Sequence, residues 1–298
     1  VTTFEGWPVL TDPVLIAAFE GWNDAGDAAS GALEHLALSW NAEPLVEIDP
    51  DDYYDFQVNR PTVTLTAGQQ RRVEWPTTRI SFCRPPGAAF DVVLVRGIEP
   101  NMRWRAFCHE LLGIMGELGV QTAITLGALL SDSPHTRPVP VTGSSYDPAS
   151  AARYGLEGSK YEGPTGIVGV LQSMCVGIGI PAISFWAAVP HYVSQPPNPK
   201  ATVALLHRIE EVLDVPVPMG ELPGQADDWQ KLVDEMAAED EEVTEYIRNL
   251  EQRDDEGELR ETSGDVIAKE FERYLRRRDN GPGGGSAGGS GSGPQLGR

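Results

Sequence analysis

A chain of 298 residues, 41% of them hydrophobic, has material for one sizeable α/β body with an appendage. Its formal net charge of −21 argues against nucleic acid or an anionic membrane surface as partner, because both are bound by basic side chains that displace counterions. Cys83, Cys108 and Cys175 are odd in number, far apart and free of any Cys-x-x-Cys spacing, which suggests neither a disulfide framework nor a thiolate metal site.

The first residues, Val1 to Glu5, carry neither the basic region nor the apolar run of a signal peptide, so the cytoplasm is the expected location. An apolar strand is predicted over Val14 to Phe19, followed by the turn Glu20 to Asp27 and a helix whose apolar stripe is Ala29, Leu33, Leu36 and Trp40. Strand, glycine-spaced turn and helix make up the layout of a ligand-binding α/β protein. Yet this turn carries Glu20, Asp24 and Asp27, and its Gly21 and Gly26 match neither Gly-x-Gly-x-x-Gly nor the P-loop. Asn23 or Asp24 is placed to cap the helix, whose positive dipole end favours acids. A divalent cation shared by several carboxylates is the sharper alternative.

Leu45 to Ile48 reads as the next strand. The following segment, 49–75, is expected to be an insertion at the sheet edge, with a turn near Pro50 and a hairpin pairing Thr62 to Leu65 with Arg71 to Glu74 through Thr66-Ala67-Gly68. Strands over Thr78 to Cys83 and Val92 to Val95 lead to the loop Gly97 to Trp104, where Asn101 is expected to cap a helix and Glu99 to pair with Arg103. That helix has the stripe Trp104, Cys108, Leu111, Met115 and Leu118, and a strand follows over Ala123 to Leu130. Strands with so little polar alternation, joined by helices, imply a largely parallel sheet covered on both faces.

In such a sheet ligands sit at the carboxyl ends of strands, which directs attention to the loops there. The proline-rich loop Ser131 to Gly143 is stiff and polar, and within it His135 is the histidine best placed for acid-base work, with Arg137 beside it. The turn Tyr161 to Gly166 directly precedes an apolar helix. There exposed N–H groups and the Thr165 hydroxyl form the best sequence candidate for an anion site, against the plainer alternative of close backbone packing at Gly166. The run Gly166 to Val189 is long enough to cross a bilayer, but Gln172 and Ser173 lie inside it and Gly177, Gly179 and Pro181 divide it into a buried helix and a buried strand over Ala182 to Trp186. No His-x-x-x-His or His-Glu-x-x-His occurs, and no metal or cofactor is expected.

Past Pro218 three amphipathic helices are predicted. Their stripes are Trp229, Leu232, Val233 and Met236, then Val243, Tyr246, Ile247 and Leu250, then Ile267, Phe271, Tyr274 and Leu275, and their other faces are crowded with Asp and Glu. These stripes pack either on the body or on another subunit. From Asn280 onward Gly, Ser and Pro dominate, and the Gly-x-Ser-x-Gly match at 284–288 lacks the strand and helix of a nucleophile elbow. The expected domains are an α/β core over 1–218, an acidic helical extension over 219–278 and a disordered Gly/Ser-rich tail over 279–298.

Taken together in order, Gly21-Trp22-Asn23-Asp24-Ala25-Gly26, Gly97-Ile98-Glu99-Pro100, Gly127-Ala128, Arg137 to Gly143 and Gly163-Pro164-Thr165-Gly166 resemble the proteasome assembly chaperone family of the second-subunit type, actinobacterial branch. Ile180 to Tyr192 and Pro199-Lys200-Ala201 extend the likeness, which covers roughly 10–215. The resemblance implies a three-layer α/β/α core with a phosphorylase- or hydrolase-like mixed sheet, homo-oligomers, and a chaperone that binds proteasome α-subunits. Relatives that engage the assembled ring use a C-terminal hydrophobic-Tyr-x tail; here Gly297 stands in the tyrosine's place, so docking by that route is not expected.

The leading expectation is a non-catalytic, protein-binding homo-oligomer, trimer or larger, with proteasome α-subunits as partners. Two alternatives stand beside it. One is a phosphorylase- or hydrolase-like enzyme using Glu20, Asp24, Glu99, His135 and Thr165 at the strand ends; the other is a nucleotide-binding regulator with its anion site at Thr165 and Gly166. The candidate ligand-binding residues are therefore Glu20, Asn23, Asp24, Glu99, His135, Arg137, Thr165 and Gly166.

Overall fold

Residues 6–65, 71–158 and 162–256 are described by the structure, a computed structural model. Four apolar strands form the middle of the main sheet: β1 (Val14–Glu20), β6 (Val92–Ile98), β7 (Thr122–Ser131) and β10 (Ala182–Pro190). They run parallel in the order β6-β1-β7-β10. Antiparallel strands extend this centre on both sides. On one side lie β5 (Arg79–Cys83) and β2 (Glu43–Glu47); on the other β8 (Val141–Ser145) pairs with β10 and carries the short β9 (Glu157–Gly158). The result is an eight-stranded mixed sheet. A separate two-stranded sheet, β3 (Thr62–Leu65) with β4 (Arg71–Glu74), leaves the chain between β2 and β5, so the predicted hairpin strands form; its turn lies outside the described residues.

Strand alternation sorts the core into two layers. Leu15, Ala17 and Phe19 of β1 face α2 (Trp104–Glu117) and α4 (Ile167–Gly177), where Phe107, Leu111, Met115 and Leu171 are fully buried. Phe19 and Phe107 meet edge to face at 5.8 Å between ring centroids. Ile16 and Ala18 face α1 (Ala28–Ser39) and α5 (Pro199–Leu213), against Leu33, Leu36, Leu205 and Ile209. The predicted three-layer α/β/α architecture is therefore present, with the stripe on α1 buried as expected.

The apolar run 166–189 resolves into α4 and β10, and no helix among the described residues is long and apolar enough to cross a membrane. Gln172 lies buried inside that run because its amide donates to the Ser144 and Ala182 carbonyls. All three cysteines are buried, and burial pushes each thiol up to about 12, which leaves them un-ionised near neutrality.

Beyond α3 (Pro148–Tyr154), which packs on β8 and β9, the body is completed by α5. Against α5 lies α6 (Leu222–Ala238), and α7 (Glu241–Asp255) packs on α6. The α6 face that turns inward keeps only part of the stripe expected from sequence: Val233 is buried and Trp229 half-buried, but Ala226 and Ala237 take the other buried places while Leu232 and Met236 are 54% and 49% exposed. Small residues let α6 lie close to its neighbour, and the larger side chains are left outside. On α7 the expected Ile247 and Leu250 are buried. The third predicted stripe lies outside the described residues.

Candidate functional site

The loops at the carboxyl ends of the four parallel strands lie side by side, and one polar network joins three of the regions singled out by sequence. Asn23 follows β1 and is fully buried. Its backbone carbonyl accepts from Ala128 N–H at 2.8 Å, which aligns the loop with β7. Its side-chain amide donates to Glu99 Oε1 at 2.7 Å, and the same oxygen accepts from Ile167 N–H, the first residue of α4, at 2.8 Å. Glu99 is thus the anion at the α4 N-terminus. An acid supplied from β6 satisfies the orphan donor and meets the positive dipole end that the sequence marked as an anion site. Desolvation raises the Glu99 pKa above the ordinary carboxylate value, opposed by these two hydrogen bonds.

Gly166 closes the network. A Cβ there would stand 2.1 Å from Asn23 Oδ1 and 2.9 Å from Glu99 Oε1, so close backbone approach requires glycine at this position. Thr165 is exposed, and its hydroxyl donates to the Gly166 carbonyl at 3.4 Å; it does not cap α4.

Asp24 turns away from this network. It is buried, and its carboxylate accepts from Ala29 N–H at 2.6 Å and from Ser30 N–H at 3.2 Å, capping α1 as the sequence allowed. Burial pushes its pKa up to about 6 against the opposing pull of the Ser30 and Ala29 bonds. Glu20 points elsewhere again, to Arg96 at 3.3 Å, and Arg96 also pairs with Glu34 on α1. The acids of the first turn are therefore spent separately, and no group of three or more His, Cys, Asp or Glu among the described residues is placed to hold a metal ion.

Two expectations for the loop after β6 are corrected. Arg103 pairs with Asp52 and lies over the Tyr53 ring rather than meeting Glu99, because Glu99 is drawn inward to α4. Asn101 does not cap α2, which begins behind a left-handed Arg103; its side-chain oxygen accepts from Asp55 N–H and Asn59 and fixes the start of the insertion.

His135 and Arg137 lie in a third place. His135 is 3% exposed and both ring nitrogens are engaged, Nδ1 with the Tyr192 hydroxyl at 2.8 Å and Nε2 with Asp234 on α6 at 2.9 Å. The carboxylate only accepts, so Nε2 carries a proton; the Tyr192 hydroxyl accepts from the His135 backbone N–H and shares a hydrogen bond with Nδ1. Lys200 on α5 donates to the His135 carbonyl at 2.5 Å and to Gln230 on α6 at 2.6 Å. Thr136 donates to Glu251, and Arg137 forms a two-point contact with Asp255, both on α7. The stiff loop is a clasp for the acidic helices. Tyr192 and Lys200 fall within the family likeness but carry no local signal of a site role, and Asp234 lies on a helix far along the chain; the first two lie in or just beyond the loop after β10.

Residues 18–237 match the family model described as the PAC2 family. This chain belongs to the PAC2 family. A PAC2 family protein from Streptomyces avermitilis is 61% identical, with 79% of this chain and 99% of that one covered and a TM-score of 0.75. The Mycobacterium tuberculosis proteasome-assembly chaperone homologue Rv2125 is 62% identical over 78% of this chain and 99% of its own, with a TM-score of 0.72. Pyrococcus furiosus PbaB, an archaeal proteasome activator, is 17% identical with a TM-score of 0.63 and so shares the fold. No curated protein matches. The expected resemblance is borne out, and the family match runs on through most of α6, past the point where the sequence likeness was expected to end.

Proposed function

We propose that this PAC2 family member is a chaperone-like, non-catalytic protein-binding homo-oligomer, trimer or larger, that acts on proteasome α-subunits in the cytoplasm. One observation carries this reading. Three of the polar residues at the strand ends are consumed by the fold itself: Glu99 fills the α4 N-terminus, Asp24 caps α1, and His135 has both ring nitrogens bound. Such groups hold loops in register and present a shaped surface, whereas an enzyme of the hydrolase or phosphorylase type needs several of them to converge on open space. The 62% identity to a protein described as a proteasome-assembly chaperone homologue adds support. Capture of purified proteasome α-subunits on the immobilised chain is the expected result. Absence of capture at tens of micromolar would remove the chaperone reading, and a thermal shift with a nucleotide would favour the regulator instead.

A further inference from the structure

Two apolar patches stand exposed among the described residues. The first is the β3–β4 hairpin. Antiparallel pairing places Val63 opposite Val73 and Leu65 opposite Arg71, so these four share one face, continued by Trp75 two residues after Val73. Val63, Leu65, Val73 and Trp75 are 47%, 71%, 48% and 49% exposed. A lone two-stranded hairpin is marginal in water; here Trp75 meets Phe56 edge to face at 4.8 Å between ring centroids, while Val63, Leu65 and Val73 stay largely exposed. The second patch is Leu232 and Met236, one helical turn apart on the outer face of α6.

Charge separates the two patches as sharply as sequence position does. Segment 60–79 holds four arginines against one glutamate, in a chain of net charge −21. Segment 221–256 holds fourteen acids against three bases. Beside Leu232 and Met236 lie the exposed Glu235 and Glu239, and beside Leu65 and Val73 lies the exposed Arg71. Apolar matches apolar and basic matches acidic. The hairpin leaves the sheet between β2 and β5, at one edge, whereas α6 is carried by α5 over the half of the sheet that contains β10. The topology sets the two patches on opposite halves of the body.

We infer that the β3–β4 hairpin of one copy docks on the outer face of α6 in a second copy, a head-to-tail contact joining Val63, Leu65, Arg71 and Val73 to Leu232, Glu235 and Met236. The occupant of each patch is the other patch of an identical chain. Because the two surfaces differ, the contact is heterologous and repeats around a ring when the rotation closes. The inference rests on the homo-oligomer reading above and gives that reading its interface.

Mixing of two variants tests it. Leu65→Asp with Arg71→Glu spoils the hairpin, and Glu235→Lys with Met236→Asp spoils the α6 face; all four positions are exposed, and circular dichroism confirms that each variant is folded. In light scattering at tens of micromolar the wild type is expected to be trimeric or larger and each variant alone monomeric. Their equimolar mixture is expected to stop at a dimer, since only one good hairpin and one good α6 face remain per pair. The single charge swap Arg71→Glu with Glu235→Arg is expected to restore association lost in Arg71→Glu alone. Should either variant keep the wild-type mass, the interface lies elsewhere while the homo-oligomer reading stands. A monomeric wild type would overturn both.

Discussion

Asn23 and Glu99, 76 positions apart in sequence, meet at 2.7 Å and share the task of closing the carboxyl end of the sheet around the start of α4. A single oxygen, Glu99 Oε1, receives both the Asn23 amide and the Ile167 N–H. Three separate chain segments are therefore held in register by one acceptor.

Removing that acceptor has a defined consequence. Glu99→Ala leaves the Asn23 amide and the Ile167 N–H without their partner in a partly desolvated place, and is expected to cost roughly 2–3 kcal/mol in urea denaturation. Glu99→Gln keeps a carbonyl acceptor at the same reach and is expected to recover most of that loss. Equal destabilisation by both variants would show that charge at the helix dipole, rather than the shared hydrogen bonds, is what Glu99 supplies.

The same network discriminates among glycines. Gly166→Ala drives a methyl to 2.1 Å from Asn23 Oδ1, so the backbone of the turn must shift. A loss of about 1–3 kcal/mol is expected from such overpacking. Gly113→Ala, on the exposed face of α2 with nothing within 4 Å of the added methyl, is expected to stabilise by about 0.5–1 kcal/mol through helix propensity. Chemical denaturation of both variants measures the pair, and a neutral Gly166→Ala would mean that the turn is slack.

His135 was legible in the sequence as a special histidine but not as a structural one. Its post-strand position and proline-rich surroundings are shared by catalytic and bracing loops alike. What separates them is Asp234, 99 residues onward, and a distance of that kind has no trace in local pattern. The central strands were readable for the opposite reason: burial on both faces leaves a continuous apolar run, as in β1 and β7. Strand β8 escaped because Val141-Thr142-Gly143-Ser144-Ser145 is short and polar, held by pairing with β10 rather than by its own composition. Helix α5 escaped although its start signal was present: Asn198 accepts from Ala201 N–H, with Pro199 in the first turn. The α6 stripe keeps Val233 but is rotated, because Ala226 and Ala237, weak in any hydrophobicity count, share its buried contact while Leu232 and Met236 stay outside.

The clasp makes its own prediction. His135→Ala deletes two side-chain links, one of them to α6, and opens space beneath that helix. Hydrogen exchange in α6 and α7 is expected to quicken about tenfold or more, as befits roughly 1.5–3 kcal/mol of local stability, while α2 and α4 stay protected. Asp234→Asn preserves an oxygen acceptor for Nε2 and is expected to change exchange far less. Uniform quickening across the chain would instead mark His135 as part of the global core.

Asp24 makes stability depend on pH in an unusual direction for an acid. Its folded pKa of about 6 lies above the ordinary 3.8, so the folded chain holds the proton more tightly than the unfolded chain does. The resulting stabilisation is fully present below pH 3.8 and is lost as pH rises through 6. Asp24→Asn keeps an oxygen to accept from Ala29 N–H but does not titrate. The stability of the variant relative to wild type is therefore expected to rise by roughly 3 kcal/mol between pH 3.5 and 7.5, two pKa units at 1.36 kcal/mol each. Urea denaturation of both proteins across that range reads the difference directly. Asp27, also raised by burial, is common to the two and largely cancels. A flat difference would mean that the hydrogen bonds from Ala29 and Ser30 outweigh desolvation and that Asp24 stays ionised throughout, as a cap whose charge favours the α1 dipole.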